Sequence, residues 1–163
     1  MAESLEDKVL KENDPVKGKT REFDIAHWLG SITGYAGSIA GAYLANKFTG
    51  RPYLSAAIGS TVGDYAGYEV GFTPYWYLKN TDRYKGISGK AKFAKDWVSM
   101  GAKALVVDAG AYLMDAPLSI AGTYMTGNPV IGAALGGLVG HGLYWLGLRR
   151  ANKEKIAEVA YGH

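Results

Sequence analysis

Glycine recurs at every fourth position in two stretches of this chain, and this spacing constrains the fold more than any other feature. The two series, each preceded by a proline, are Gly59, Gly63, Gly67 and Gly71, and then Gly132, Gly136 and Gly140. In water, each glycine inside a helix costs about 1 kcal/mol relative to alanine. In lipid, a stripe of small residues lets helix backbones pack closely where no hydrophobic effect draws helices together. The spacing therefore predicts tightly packed transmembrane helices.

The overall composition supports this interpretation only in part. Glycine makes up 23 of the 163 residues, well above its usual share of about 7%. The mean hydropathy of −0.07 is low for a membrane protein, but the charged ends lower it and the apolar segments favour Gly, Ala, Ser and Tyr. A soluble glycine-rich helical protein is the alternative. The chain has no cysteine, which excludes disulfide and thiol chemistry.

Four segments are long enough and sufficiently free of charge to cross about 30 Å of hydrocarbon. They are residues 24–46, 52–73, 104–125 and 129–148, joined in pairs by tight turns at 47–51 and 126–128. Asn128 and Pro129 predict a helix start, with asparagine as the N-cap. Pro117 is predicted to kink or break the third span. The predicted fold class is therefore all-α, a four-helix transmembrane bundle.

Positive charges predict the orientation of this bundle. Most Lys and Arg residues lie before residue 24, between residues 79 and 103, or after residue 148. These segments share one side of the bundle, so the positive-inside rule places both termini and the middle loop in the cytoplasm of a multi-pass cell-membrane protein. The predicted organisation is a tail (1–23, disordered or loosely helical to about residue 19), a hairpin (24–78), a basic loop (79–103), a second hairpin (104–148) and a tail (149–163).

The chain also contains an internal duplication. Residues 49–59 (TGRPYLSAAIG) match residues 126–136 (TGNPVIGAALG), and residues 38–43 (SIAGAY) match residues 119–124 (SIAGTY). Each repeat is a two-helix hairpin, so both copies have the same orientation in the membrane. We expect two tandem, parallel-related hairpin repeats about a pseudo-twofold axis along the membrane normal.

Several ionisable residues lie inside the predicted spans, where such groups are costly and mark functional sites by default. The duplication aligns Asp64 with His141, and His27 with Asp108. Acid and imidazole have exchanged places between repeats, so we expect Asp64 and His141 to face each other across the pseudo-axis. Such a pair can exchange protons near neutral pH, or it can serve only to hold the hairpins together. A His27–Asp108 pair is the second candidate.

The third span carries a further polar face. Asp108, Tyr112 and Asp115 lie at helical spacing, and Asp115 precedes the proline break by two residues. Carboxylates near unwound backbone suit a cation or an ammonium group, whereas the alternative is an inward-facing acid held by tyrosine hydroxyls. The predicted substrate- or proton-binding residues are Asp64, Asp108, Tyr112, Asp115 and His141. Neither a metal-ligand spacing nor a nucleotide motif is present, so no catalytic residue, metal or cofactor is predicted.

The second half of the chain resembles a known family. Asp108, Tyr112, the pair Ala116-Pro117, Ala121 and Gly122, and the ending GLYWLGLRR at residues 142–150 are similar to the small four-helix L-alanine exporter family. The first half departs from it, with a denser glycine series and no proline that corresponds to Pro117. The resemblance implies efflux of a small amino acid driven by the proton gradient.

Three classes of function are open. The first is a small integral membrane transporter, with proton-coupled export of a small amino acid or similar solute. The alternative is a non-transporting glycine-zipper membrane scaffold or accessory subunit of a larger complex. A membrane enzyme acting on lipid ranks last, because no Ser or Cys nucleophile has a recognisable partner. Expected partners are the lipid bilayer, a small solute or proton, and further copies of the chain. Nucleic acid is not expected, because the basic residues flank the spans and fit anionic lipid.

Overall fold

The computed structural model describes residues 14–161, and these residues are almost entirely helical, with no strand among them. Three long helices are continuous: α1 (Pro15–Thr49), α3 (Gly86–Thr126) and α4 (Pro129–Ala151). The long helix α2 has three consecutive parts: an α-helical turn (Pro52–Leu54), a π-helical turn (Ser55–Gly59) and a long α-helical part (Ser60–Lys79). A short helix, α5 (Lys153–Tyr161), ends the described chain. The predicted all-α class is confirmed.

The two tight turns have the same backbone geometry. Gly50 ends α1 with a φ of 64°, and Gly127 ends α3 with a φ of 69°. Only glycine adopts this left-handed conformation without strain, which explains a glycine at both positions. The Asn128 side chain accepts a hydrogen bond of 2.9 Å from the Val130 N–H. The predicted N-cap of α4 is therefore confirmed.

The helices pack as two hairpins, α1 against α2 and α3 against α4. Both glycine series lie at these contacts. A Cβ at Gly63 would collide with the backbone carbonyl of Gly37, and a Cβ at Gly132 would collide with that of Ser119. The hairpins meet mainly through α1 and α4, whereas the long part of α2 makes few contacts with α3. The half-turn relation between the hairpins stays a prediction.

The prediction of a basic loop at residues 79–103 is wrong for most of this segment, which is helical. Only residues 80–85 separate α2 from α3, and α3 begins at Gly86 and runs for 41 residues. The alanine, lysine and methionine residues of this segment favour a helix, and Met100 and Asp96 are buried within the fold.

Both predicted tails also contain helix. The Asp14 side chain accepts a hydrogen bond of 2.9 Å from the Val16 N–H and caps α1, which begins nine residues before the predicted first hairpin. Asp14 followed by Pro15 is the same start signal as Asn128 followed by Pro129. The first 13 residues of the N-terminal tail lie outside the described residues. The C-terminal tail forms the end of α4 and α5, and Ile156 is buried against the bundle.

Helix α3 bends in the region that Pro117 predicts. Its two parts, Gly86–Ala111 and Leu113–Thr126, meet at 43°. The proline ring clashes with the carbonyl of the residue four positions earlier, which is Leu113. The predicted kink is confirmed.

The predicted spans are helical, but they are only moderately apolar. Within the described residues, no helix taken alone has both the length and the hydropathy to cross a membrane, and the two parts of α3 reach this level only together. Large apolar side chains nevertheless point outward along the helices: Val70, Val106 and Leu113 are 70%, 78% and 75% exposed. Membrane insertion stays a prediction.

A single added methyl group tests the close contact between α1 and α2. We expect Gly63→Ala to destabilise the fold by about 1–3 kcal/mol, because the methyl overpacks a rigid backbone contact. Gly142→Ala is the matched control, since a Cβ at Gly142 meets no atom within 4 Å. Thermal unfolding of the purified chain, followed by circular dichroism, should show a lower midpoint for Gly63→Ala alone. Equal midpoints for the two variants would contradict the contact.

Candidate functional site

A cavity of about 500 Å³ lies between α2, α3 and α4. It exists because the glycine contacts hold each hairpin together while α2 and α3 remain apart. Polar and aromatic side chains of all three helices line it, together with Phe23 of α1. This cavity is the candidate functional site.

Asp64 of α2 and His141 of α4 meet in this cavity. Asp64 Oδ1 lies 3.2 Å from His141 Nε2, and both side chains are largely buried, with 16% and 14% exposed. The approach that the duplication predicted is confirmed. Gly34 of α1 gives the pair its space, because a Cβ there would collide with Asp64 Oδ1. The pair links the two hairpins.

Asp115 of α3 lines the same cavity and is 5% exposed. Ser119 Oγ donates a hydrogen bond of 3.1 Å to Asp115 Oδ1, a partner that the sequence analysis did not name. Gly136 lies directly against this carboxylate, and a Cβ at Gly136 would collide with it. The second glycine series therefore provides space for a buried acid as well as for helix packing.

Two predicted site residues cannot be added to this geometry. Asp108 and Tyr112 lie in α3, but their side chains are outside the described part of the structure. The predicted His27–Asp108 pair therefore stays a prediction, because the Asp108 side chain is not described. His27 itself is 1% exposed, and its Nδ1 lies 2.8 Å from the Tyr68 hydroxyl.

Aromatic rings form one wall of the cavity, which the sequence analysis did not foresee. Tyr68 packs edge-on against Tyr144 with ring centroids 5.5 Å apart, and it stacks on Phe72 at 5.4 Å. Tyr65, Tyr68 and Phe72 recur at helical spacing in α2, a signal that could have placed them on one face. Their contact with Tyr144 of α4 depends on tertiary structure.

Glu69 and Trp97 lie at the edge of the cavity and bridge α2 and α3. The Trp97 indole N–H donates to Glu69 Oε2 at 3.0 Å, and Thr73 Oγ1 also donates to this oxygen. These two hydrogen bonds hold the Glu69 carboxylate beside the cavity.

Four charged side chains form a buried network, here called the charge clamp: Arg83, Asp96, Lys155 and Glu158. Asp96 lies 3.0 Å from Arg83 Nε and 2.8 Å from Lys155 Nζ, and Glu158 lies 3.1 Å from Arg83 and 2.7 Å from Lys155. Asp96, Arg83 and Lys155 are each less than 10% exposed. The clamp fastens α5 and the α2–α3 connection to α3.

Burial and ion pairing shift the pKa values of the clamp residues in opposite directions. Burial alone raises the pKa of Asp96, but hydrogen bonds from Lys155 and Arg83 outweigh it and hold this pKa below its usual value. Burial lowers the pKa of Lys155, and its hydrogen bonds to Asp96 and Glu158 raise it above its usual value. Both residues therefore remain charged at neutral pH.

No group of three His, Cys, Asp or Glu side chains that could hold a metal ion occurs within residues 14–161 as described. Asp64, Asp115 and His141 converge on one cavity. Whether they bind a proton or a solute stays a prediction.

Comparison of the chain with protein-family models, curated proteins and solved structures finds no match. The resemblance to the L-alanine exporter family therefore remains an expectation from the residues that carry it.

The charge clamp can be tested by removing its central acid. Asp96→Ala leaves Arg83 and Lys155 buried without their shared partner, which should cost about 3–5 kcal/mol. Asp82→Ala is the control, because the Asp82–Lys85 pair is exposed and such pairs contribute little. Thermal unfolding should separate the two variants, and equal midpoints would show that the clamp does not contribute.

The same clamp predicts a pH dependence. Since the folded chain holds the pKa of Asp96 low, the stabilisation is complete above the ordinary aspartate pKa of about 3.9 and is lost as the pH falls through the lowered value. Hydrogen exchange of the α5 amides should accelerate in this acidic range. Exchange that is independent of pH there, after correction for intrinsic rates, would contradict the assignment.

Proposed function

We propose that the protein is an integral membrane transporter that moves a small solute in exchange for protons. The observation that carries this proposal is the convergence of Asp64, His141 and Asp115 on one cavity between two helical hairpins. An acid–imidazole pair can change its number of bound protons near neutral pH. A second acid in the same cavity lets a positively charged group compete with a proton for the same carboxylates.

The distribution of apolar surface supports a membrane location. Glycines lie at the closest backbone contacts inside each hairpin, and many large apolar side chains are exposed on the outer faces, although Phe23, Phe72 and Trp76 pack in the core. In water, an apolar exterior of this kind is unfavourable. In lipid, small residues inside and apolar residues outside are the expected arrangement. Interior small residues also explain why the helices have modest hydropathy.

A non-transporting membrane scaffold or accessory subunit is the second candidate. A groove of about 730 Å³ runs along the outer face of the α1–α2 hairpin and is lined by small and apolar residues such as Gly37, Gly41, Ile58 and Val62. A helix of a partner protein could pack there.

The small amino acid that the family resemblance implies is one candidate solute for the transporter.

The proposed orientation can be tested with introduced cysteines, because the natural chain has none. Lys47 and Lys85 are both exposed and lie at opposite ends of α2. By the positive-inside rule, Lys85→Cys should react only from the cytoplasm and Lys47→Cys only from outside. A membrane-impermeant maleimide applied to intact cells and to inverted vesicles measures both. Labelling of Lys85→Cys from outside would overturn the topology.

The transport proposal can be tested in proteoliposomes that contain a pH-sensitive dye. A gradient of a small permanently charged ammonium compound should drive proton movement through the native protein, and a gradient of L-alanine is measured alongside it. Asp64→Asn and Asp115→Asn should reduce this rate at least about tenfold, because each removes a site where proton and solute compete. Glu154→Gln is the control, since Glu154 is exposed and lies away from the cavity.

The outcomes of this assay separate the two candidates. Normal proton movement in both asparagine variants would assign a structural role to these acids. A folded, reconstituted native protein that moves neither solute nor protons would favour the scaffold.

A further inference from the structure

We propose that the cavity between α2, α3 and α4 binds a bulky organic cation, such as a quaternary ammonium or phosphonium compound, between aromatic rings and carboxylates. The inference deepens the function proposed above. Transport of such a cation rests on the function proposed above, whereas its binding can be tested separately.

The charge of the cavity lining selects for a cation. Asp64, Glu69 and Asp115 all line it, and none of the described lining side chains is Lys or Arg. His141 is the single basic group described there, and it is paired with Asp64. The carboxylate of a zwitterionic amino acid would therefore face acids without a fixed positive partner. A cation in the cavity meets carboxylates of both α2 and α3.

The aromatic lining adds a second source of affinity for a cation. Tyr65, Tyr68, Phe72, Trp97 and Tyr144 all contribute to the cavity. A ring face attracts a cation by about 0.5–2 kcal/mol, and more when water is excluded. Aromatic rings beside carboxylates recognise quaternary ammonium groups, which are too large for a tight hydrogen-bonded site and are weakly hydrated.

An unsatisfied acceptor provides independent support for an occupant. Asn152 lines the cavity and is 1% exposed. Its Oδ1 atom accepts no hydrogen bond from the part of the chain that the structure describes. Buried acceptors are rarely left without a partner. A cation in the cavity would place positive charge beside the partial negative charge of this oxygen without a hydrogen bond, whereas a neutral apolar occupant would leave the oxygen without any electrostatic partner.

The size and opening of the cavity suit a bulky ligand. A volume of about 500 Å³ is within the range of drug-sized ligand pockets, roughly 300–1,000 Å³. Tyr65, Val98 and Gly101 line the cavity and are also exposed, at the side where α2 and α3 separate. A lipophilic cation can therefore enter between these two helices.

Two ions of the same shape and opposite charge provide the test. Equilibrium dialysis of the purified full chain, with protein-free micelles as the blank, measures binding of tetraphenylphosphonium and of tetraphenylborate. We expect saturable binding of the phosphonium cation at one site per chain. The borate anion should bind no more than it does to the blank, and L-alanine should not displace the cation.

Matched variants locate the binding in the cavity. Trp97→Leu should weaken phosphonium binding about tenfold, and Trp97→Phe should restore most of it because an aromatic ring remains. Asp115→Asn should weaken binding by a similar factor. Trp28→Leu should leave binding unchanged, because Trp28 is 61% exposed and lies outside the cavity. The Trp97→Phe variant and a thermal melt of each protein guard against effects of misfolding.

Each other outcome is informative. Equal binding of the borate anion would show that the cavity is only apolar, and displacement by L-alanine or absence of phosphonium binding would also overturn the inference. If phosphonium binds but none of the cavity variants weakens the binding, the cation binds elsewhere on the protein, and this result would also overturn the inference. Binding that follows the variants, without phosphonium-driven proton movement in proteoliposomes, would confirm the inference and refute the transport function.

Discussion

The close approach of helix backbones within each hairpin is the interaction on which the rest of the structure depends. Gly63 of α2 faces the carbonyl of Gly37 in α1, and Gly132 of α4 faces that of Ser119 in α3, with no side chain between them. Contacts this short leave no room for large residues at the interface. Large apolar side chains such as Val70 and Leu113 therefore lie on the outer faces, whereas Phe72 and Tyr144 pack in the core and, with polar residues, line the space between the hairpins.

The same glycines make the polar interior possible. Gly34 leaves space for the Asp64 carboxylate, and Gly136 leaves space for that of Asp115. A carboxylate in a tightly packed bundle needs both room and a partner, because an unpaired buried charge is costly. His141 is the partner of Asp64, and Ser119 donates a hydrogen bond to Asp115. Helix packing and acid placement thus use one set of small residues.

The charge clamp shows how the end of the bundle is fixed where glycine contacts are absent. Arg83 follows α2, Asp96 lies in α3, and Lys155 and Glu158 lie in α5. Ion pairs of this kind are specific in geometry, although burial reduces their net contribution. The clamp holds α5 close to the cavity, whose lining includes Asn152 at the junction of α4 and α5. A change in the clamp would therefore alter that end of the cavity.

The sequence by itself determined the local features: the four long helices, the cap and proline before α4, the bend in α3, and the glycine turns. Each of these depends on residues within a few positions of one another. The Asp64–His141 contact was also predictable, because the duplication aligned two distant positions. The sequence analysis missed the helical segment of residues 86–103, although its composition favours a helix. The charge clamp and the aromatic wall join residues far apart in the chain, such as Arg83 with Glu158 and Tyr68 with Tyr144. Only packing of the whole bundle decides which charges and rings meet, because local propensity carries no information about partners on another helix.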